Sequence, residues 1–372
     1  MSKLDTTPYK GVRDFYPEDK FLQNYIMAIW RRTVERFGYE EYDASVLEPT
    51  EIYTEKSGSE IVNEQTFTFT DRGGRSVTLR PEMTPTVARM VAAKRRELGF
   101  PLRWFSIPNL FRYEATQRGR LREHWQLNVD MFGVEAIESE LEVVQVAYQI
   151  MRNFGAKDED FEIRLNYPKG TDEDLNKFIE RLNNIGITNT VIDKSLARGQ
   201  AYYTGIVFEF FDTNKENNRS ILGGGRYDNL TELFGDSDLA AVGFGAGDVT
   251  IKDFLETHKL LPPFHPATQI SIIPMDVKLA EQANMVAMTF RMNGLNVSVD
   301  WSGKKVGDAI KTADKQGIPF VVVVGEDEIK SKKFKLKNLK TGEEKEINFD
   351  EKAPEAHDHD HSGHNHDGHT HA

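Results

Sequence analysis

Three prolines in six residues, in the segment LPPFHP at 261–266, divide this chain into two parts that cannot share a continuous element. Proline has no amide hydrogen and a fixed φ, so helices and interior strands both stop there. The rhythm of the sequence changes across that segment. Beyond it, short apolar runs alternate with helical patterns: strand 269–273, helix 277–293, strand 296–300, helix 305–316, then strands 319–324 and 334–339. Such alternation predicts a small α/β domain with parallel strands and right-handed crossovers. Before it, a helix over 20–37 ends ahead of Gly38, and TFTFTD at 66–71 and SVTLR at 76–80 flank an RGG turn. Helices over 84–98 and 139–154, strands over 104–112 and 126–132, a β-rich run at 202–211 and a short helix after GGGRYDNL complete this part. Strands separated by turns, with helices gathered around them, predict an α+β domain on a mostly antiparallel sheet. The expected organisation is a domain over 1–261, a linker over 262–266, a second domain over 267–350 and a tail over 351–372.

Composition removes several chemistries. The 372 residues include no cysteine, so disulfides, thiol nucleophiles and Cys-ligated zinc are excluded. No apolar run reaches the roughly 18 residues of a membrane span, and the N-terminus lacks the apolar core of a secretory signal; we expect a cytoplasmic protein. A net charge of −12 argues against a general nucleic-acid coat but leaves room for a local basic groove. Cations concentrate at Arg112, Arg118, Arg120 and Arg122, and in KSKKFKLKNLK at 330–340. That lysine run would contact RNA backbone or guard a solvated strand edge against aggregation. The tail holds His357, His359, His361, His364, His366, His369 and His371 among small polar residues. It is expected to be disordered and to bind Zn²⁺, Ni²⁺ or Cu²⁺ weakly, either incidentally or as a metal buffer.

Two stretches carry candidate chemistry. In FRYEATQRGRLREHWQLNVDMFG at 111–133, Arg112 and Glu114 alternate on one strand, while Gln126 and Asp130 fall on one face of the returning strand. The hairpin would offer cations, acids and an amide to a phosphate-bearing substrate with an amino or ring-nitrogen group. An ordinary charged hairpin fits the same spacing. In VGFGAGDVT at 242–250, glycines alternate without any cation. The run suits close backbone approach to a ligand or a tightly packed strand.

Taken in order, these motifs resemble those of the histidyl-tRNA synthetase family of class II aminoacyl-tRNA synthetases. FRYE, a turn and GRLREHWQ are similar to the second class II motif, and TLRPEMTPTVAR at 78–89 to the segment preceding it. LARGQAYYTGIVFEFF at 196–211 and GGGRYDNL at 223–230 resemble the two histidine-specific signatures. KGVRDFYPED at 10–19 resembles the family's opening, and the C-terminal part an anticodon-binding domain. The resemblance implies ATP-dependent activation of L-histidine to histidyl-adenylate and transfer to the 3′ end of tRNA(His), with Mg²⁺ accompanying ATP, in a homodimer.

It also implies roles for individual residues. Arg112 would hold the α-phosphate and the histidine carboxylate, Glu114 the adenine amino group, and Arg120 the terminal phosphates. Arg198 would sit against the α-phosphate. Glu82, Thr84 and Gln126 would hold the α-amino group; Asp130 and Tyr203 would read the imidazole, with Tyr202 lining the pocket. Gly223, Gly224 and Gly225 would let the backbone pass close to substrate.

Three departures accompany the resemblance. The segment between Gly133 and Arg198 is too short for the helical insertion that grips the acceptor arm in typical bacterial relatives. Ser45 stands where the first motif carries an interface proline, with Pro49 out of register. Thr250 stands where the third motif carries an arginine that clamps the terminal phosphate. Arg118, Arg226 and Lys252 are candidates to replace that charge, and Asp248 would hold Mg²⁺ or cap a helix. Loss of that arginine leaves open an alternative: a non-catalytic histidine-binding paralogue, such as a regulatory subunit of ATP phosphoribosyltransferase, or a tRNA-binding module without catalysis.

Overall fold

A computed structural model describes residues 4–54, 65–196, 203–235 and 238–348. Contacts within it separate two compact units, Met1–Pro262 and Pro263–Ala372.

The first unit contains α1 (Pro17–Arg36), β1 (Glu40–Glu41), β2 (Leu47–Pro49), α2 (Glu51–Thr54), β3 (Phe67–Thr70), β4 (Ser76–Leu79) and α3 (Thr84–Lys94). It continues with β5 (Leu102–Ser106), β6 (Asn109–Phe111), β7 (Glu123–Phe132), α4 (Glu138–Asn153), β8 (Phe161–Asn166), α5 (Asp172–Asn184) and β9 (Thr190–Ile192). Strands β10 (Val207–Asp212), β11 (Ser220–Arg226) and β12 (Ala241–Gly247) lead into α6 (Asp248–Thr257). The main sheet runs β1-β5-β7-β12-β11-β10-β8-β9, with β6 also on β7. Its interior pairings are antiparallel, and the two outermost, β1 with β5 and β8 with β9, are parallel. Strands β2, β4 and β3 form a separate small sheet.

One face of the main sheet carries Phe208, Phe210, Phe244, Leu127 and Val129, which form a core with Trp30 of α1 and Val143, Val144 and Ile150 of α4. Burial of these side chains contributes about 1.5–3 kcal/mol each. The other face is covered at one end by Val87, Ala88 and Val91 of α3, packed with Phe132, Tyr227 and Leu230.

The segment between Gly133 and residue 196 forms helices and strands of the first unit itself. Helix α5 starts with a capping box of Thr171 and Asp174 and buries Leu175, Phe178 and Leu182, and β8 extends the main sheet. Two expected strands are shorter than their sequence suggests. The strand expected over 104–112 breaks into β5 and β6 at Ile107–Pro108, where proline cannot donate to the ladder and its carbonyl instead accepts from the Gln126 amide at 3.0 Å. Strand β10 begins at Val207, and just ahead of it Gly205 approaches the Arg226 side chain, to which a Cβ would stand 3.0 Å away.

The second unit contains β13 (Ile270–Pro274), α7 (Ala280–Met292), β14 (Val297–Val299), α8 (Val306–Lys315), β15 (Phe320–Val324), α9 (Glu326–Ser331), β16 (Lys333–Asn338) and β17 (Glu344–Asn348). Its sheet order is β14-β13-β15-β16-β17. The first two pairings are parallel, as the alternation suggests, but β16 and β17 are antiparallel. No long crossover follows β15, so the chain returns by a short helix and a hairpin. Strand β16 is therefore interior to the sheet. Its lysines pair across the hairpin: Lys333 with Glu346 at 2.8 Å, and Lys335 and Lys337 with Glu344 at 3.7 and 3.5 Å.

Candidate active site

The alternating glycines leave one face of the sheet bare. Gln126, Asn128 and Asp130 of β7 stand opposite Gly247, Gly245 and Gly243 of β12. Gly245 and Gly243 stand opposite Gly223 and Gly225 of β11, and these opposite Glu209 and Val207 of β10. Directly opposed residues share a face, so two strands form a side-chain-free floor between the acid- and amide-bearing strands β7 and β10. A Cβ on Gly243 would lie 2.4 Å from Asp130 Oδ1, and one on Gly245 2.9 Å from Gln126 Cδ. Those glycines are required because the side chains of β7 lean over them. The ring of Tyr203 lies over Gly225, 3.0 Å from where a Cβ would be.

Asp130 is the most perturbed acid on this floor. It is 3 % exposed, its Oδ1 accepts from the Tyr227 hydroxyl, and its Oδ2 is buried with no hydrogen-bond partner among the described residues. Burial pushes its carboxyl up to about 7, against the lowering effect of the Tyr227 hydrogen bond. The hydroxyls of Tyr42 and Ser106 are also buried and neighbour each other, and Ser106 faces Asn128 across β5–β7. An orphaned carboxylate oxygen beside a bare floor indicates a place for a polar ligand.

Arg112 follows β6 at one edge of the site. Its Nε donates to the Pro81 carbonyl at 2.9 Å, which ties it to the 81–84 segment carrying Glu82, 4 % exposed, and Thr84, the first residue of α3. Glu114 is buried and paired with Arg120, whose Nε lies 2.5 Å from Glu114 Oε2. Burial, then the guanidiniums of Arg112 and Arg13, push His124 down to about 3. That imidazole stays neutral, and the local field favours anions. Arg198 and Tyr202 lie outside the described residues, as do the seven tail histidines.

The run at 242–250 forms β12 and the first turn of α6, so the glycines end at a strand-to-helix turn. Asp248 neither caps that helix through its side chain nor is free to hold a metal. Its Oδ2 accepts from Arg13 Nη2 at 2.7 Å and its Oδ1 from the Trp125 amide at 3.0 Å. Thr250 turns its hydroxyl inward, donating to the Ile221 carbonyl at 2.9 Å.

Of the three cations expected to replace a charge at Thr250, two are elsewhere. Arg226 is 8 % exposed and spends its donors on Glu140, Ser139, Asp228 and the Val134 carbonyl. Lys252 is four residues from Asp248 and shares its face of α6, whereas Thr250 lies about 200° round the helix from Asp248; Lys252 lines a recess with Arg13 and Asp14. Arg118 does stand beside Thr250, and so does Arg219, which no sequence pattern singles out. Tyr42, Ser106 and Tyr227 were also not singled out as site residues; only Tyr227, within GGGRYDNL, carried a sequence signal.

Comparison with known proteins agrees with the resemblance. A family model described as histidyl-tRNA synthetase matches residues 11–169 and 168–248, and one described as an anticodon binding domain matches 269–356. The histidine–tRNA ligase of Leptospira biflexa is 38 % identical, over 94 % of this chain and 97 % of its own length. That of Opitutus terrae is 34 % identical, over 93 % and 96 %. Among solved structures, apo histidyl-tRNA synthetase from S. aureus superposes with a TM-score of 0.81 at 26 % identity, covering 94 % of this chain and 98 % of that one. The Leptospira alignment spans 422 positions, more than the 372 residues here, so that relative carries residues this chain lacks.

Proposed function

The chain belongs to the histidyl-tRNA synthetase family, and from that premise we propose how its own residues ligate histidine to tRNA. The reaction has two steps. A histidine carboxylate oxygen attacks the α-phosphorus of ATP, giving histidyl-adenylate and pyrophosphate. The terminal hydroxyl of tRNA(His) then takes the histidyl group and AMP leaves. The attacking carboxylate needs no general base, so catalysis is alignment plus neutralisation of phosphate charge.

The observation that carries the assignment is the glycine floor, with Asp130 Oδ2 buried and unpartnered at its edge. A histidine side chain laid there gives that oxygen a donor, its imidazole N–H, with Tyr203 alongside. Gln126, Glu82 and Thr84 hold the α-amino group. Arg112, anchored on the Pro81 carbonyl, holds the carboxylate against the α-phosphate, with Arg198 on the same phosphate. Glu114 accepts the adenine amino group, and Arg120 moves from Glu114 to the terminal phosphates as nucleotide enters. Mg²⁺ would enter with ATP as part of the substrate and would neutralise phosphate charge there. The described residues group no three metal-ligating side chains, so no protein cage for a metal is assigned. The carboxylate of Asp248 is engaged by Arg13 and is not a ligand.

The second unit, with residues 262–266 as linker, is proposed to read the tRNA anticodon region. We further propose a homodimer acting in the cytoplasm; no helix among the described residues is long and apolar enough to cross a membrane. Histidine-dependent exchange of pyrophosphate into ATP, followed by tRNA charging, tests the assignment. Folded protein that catalyses neither would sink it.

A further inference from the structure

The loop between β6 and β7, the start of β11 and the first turn of α6 meet around a recess lined by Arg118, Gly119, Asn217, Arg219, Thr250 and Asp253. Gly119 is at the contact point. A Cβ there would stand 3.3 Å from Arg219 Cδ and 3.4 Å from Thr250 Cγ2, and its φ of +74° suits glycine. Arg219 and Thr250 therefore border the same small space. Thr250 brings no charge to it, and its hydroxyl is spent on backbone carbonyls.

The cations at this place differ in what they are doing. Arg118 is held, its Nε on Asn217 Oδ1 at 3.0 Å and its Nη2 on Thr257 Oγ1 at 3.4 Å. Arg120 is held on Glu114. Arg219 makes no ion pair or hydrogen bond among the described residues, although it is only half-exposed. Burial and the neighbouring Arg120 charge both act against its protonated form, and only Glu114 favours it. Guanidiniums meet here, with Glu114, Glu216 and Asp253 as the carboxylates at hand, and none of these pairs with Arg219 among the described residues. A polyanion relieves that repulsion, because a phosphate accepts from two guanidiniums at once.

We infer that Arg219 is a binding residue for the terminal phosphate of ATP, supplying from the start of β11 the charge that Thr250 does not bring. This rests on the ligase reading above. When the bond between the α-phosphorus and the bridging oxygen breaks, the departing pyrophosphate takes the electron pair. A cation on its far end stabilises that charge.

The test uses the full chain with Arg219→Gln, which keeps the length and removes the charge, and Arg219→Lys. ATP–pyrophosphate exchange is measured with ATP and histidine titrated separately, and equilibrium binding of ATP is compared with that of AMP. Arg219→Gln is expected to raise the KM for ATP on the order of tenfold, leaving the KM for histidine and the affinity for AMP unchanged. Arg219→Lys should recover part of the loss. An unchanged KM for ATP in a protein that melts like the wild type overturns the inference. So does an equal loss of ATP and AMP affinity, which marks a structural role. Should Arg219→Gln fail to fold, Arg219→Lys is read by the same comparison. If the wild type itself supports no exchange, the ligase reading fails separately, and the ATP-against-AMP binding comparison still decides the role of Arg219.

Discussion

Two arginines bracket strand β11, and their surroundings are opposite. Arg226, at its end, is 8 % exposed and saturated: Nε and Nη2 reach the two oxygens of Glu140 at 2.6 and 2.5 Å, and Ser139, Asp228 and Val134 take further donors. Arg219, just ahead of the strand, has no such partner among the described residues and faces other guanidiniums. In sequence both are simply cations flanking a glycine-rich strand. The groups around them come from α4 in one case and from the second-motif hairpin in the other, far away along the chain. The contrast separates a charge that holds the fold from a charge kept for a ligand.

The largest effect should come from breaking the saturated end. Arg226→Ala leaves Glu140 buried and uncompensated, which costs about 3–5 kcal/mol. Urea unfolding should show this as a lower midpoint, with the KM for ATP of the folded fraction unchanged. A midpoint like that of the wild type would mean Glu140 finds another partner, and the contrast with Arg219 would weaken.

Removing a charge assigned to substrate should do the reverse. Arg112→Ala should lower exchange by about 10²–10³, or roughly 3–4 kcal/mol of transition-state stabilisation, with little change in the urea midpoint. Arg112 makes one side-chain hydrogen bond to backbone, at Pro81, so its structural share is small. A loss of stability with full exchange would reassign it to the fold.

Asp130 sharpens the comparison through pH. Its carboxyl is raised from an ordinary 3.8 to about 7 by burial. The folded state therefore binds a proton that the unfolded state does not, between those two values. Stability should fall as pH rises through that window and level off above about 7. The shift sets an upper limit of about 4 kcal/mol; relaxation and water entry should leave about half of that. Asp130→Asn should abolish this slope and make the protein more stable than the wild type at pH 8, while weakening histidine binding. Parallel pH–stability curves for the two proteins would show that Asp130 does not carry the shift.

Much of this arrangement was legible in the chain. Alternation at Gly243, Gly245 and Gly247 suited close backbone approach to a ligand or a tightly packed strand, and β12 is a strand that ends at a strand-to-helix turn. The contact boundary between the two units falls at Pro262–Pro263, and the order of motifs identified the family. Other features were beyond sequence because they depend on which strands become neighbours. Nothing local says that β12 lies between β7 and β11, so nothing local says that Asp130 will lean over Gly243. The fate of each cation was hidden for the same reason: Arg226 and Lys252 looked as available as Arg118 until their partners were known. Pro108 breaks the strand expected over 104–112, and its lack of an amide hydrogen is legible in the sequence.

The smallest effect belongs to a third kind of cation, paired but exposed. Lys337 and Glu344 face each other across the β16–β17 hairpin at 3.5 Å, with 39 % and 43 % of their side-chain surface open to solvent. Water and salt screen such a pair, and ordering two long side chains offsets most of the attraction. A double-mutant cycle of Lys337→Ala and Glu344→Ala should give a coupling of no more than about 1 kcal/mol, shrinking as salt is added. The same lysine, if the second unit meets RNA through this hairpin, must give up Glu344 to a phosphate. Lys337→Ala should then reduce the salt dependence of tRNA binding, while Glu344→Ala should strengthen binding by freeing the lysine. Lys337 would behave like Arg219 if binding responds and like a weak Arg226 if only stability does. Equal tRNA affinity and salt slope in all four proteins of the cycle would place it in the second class.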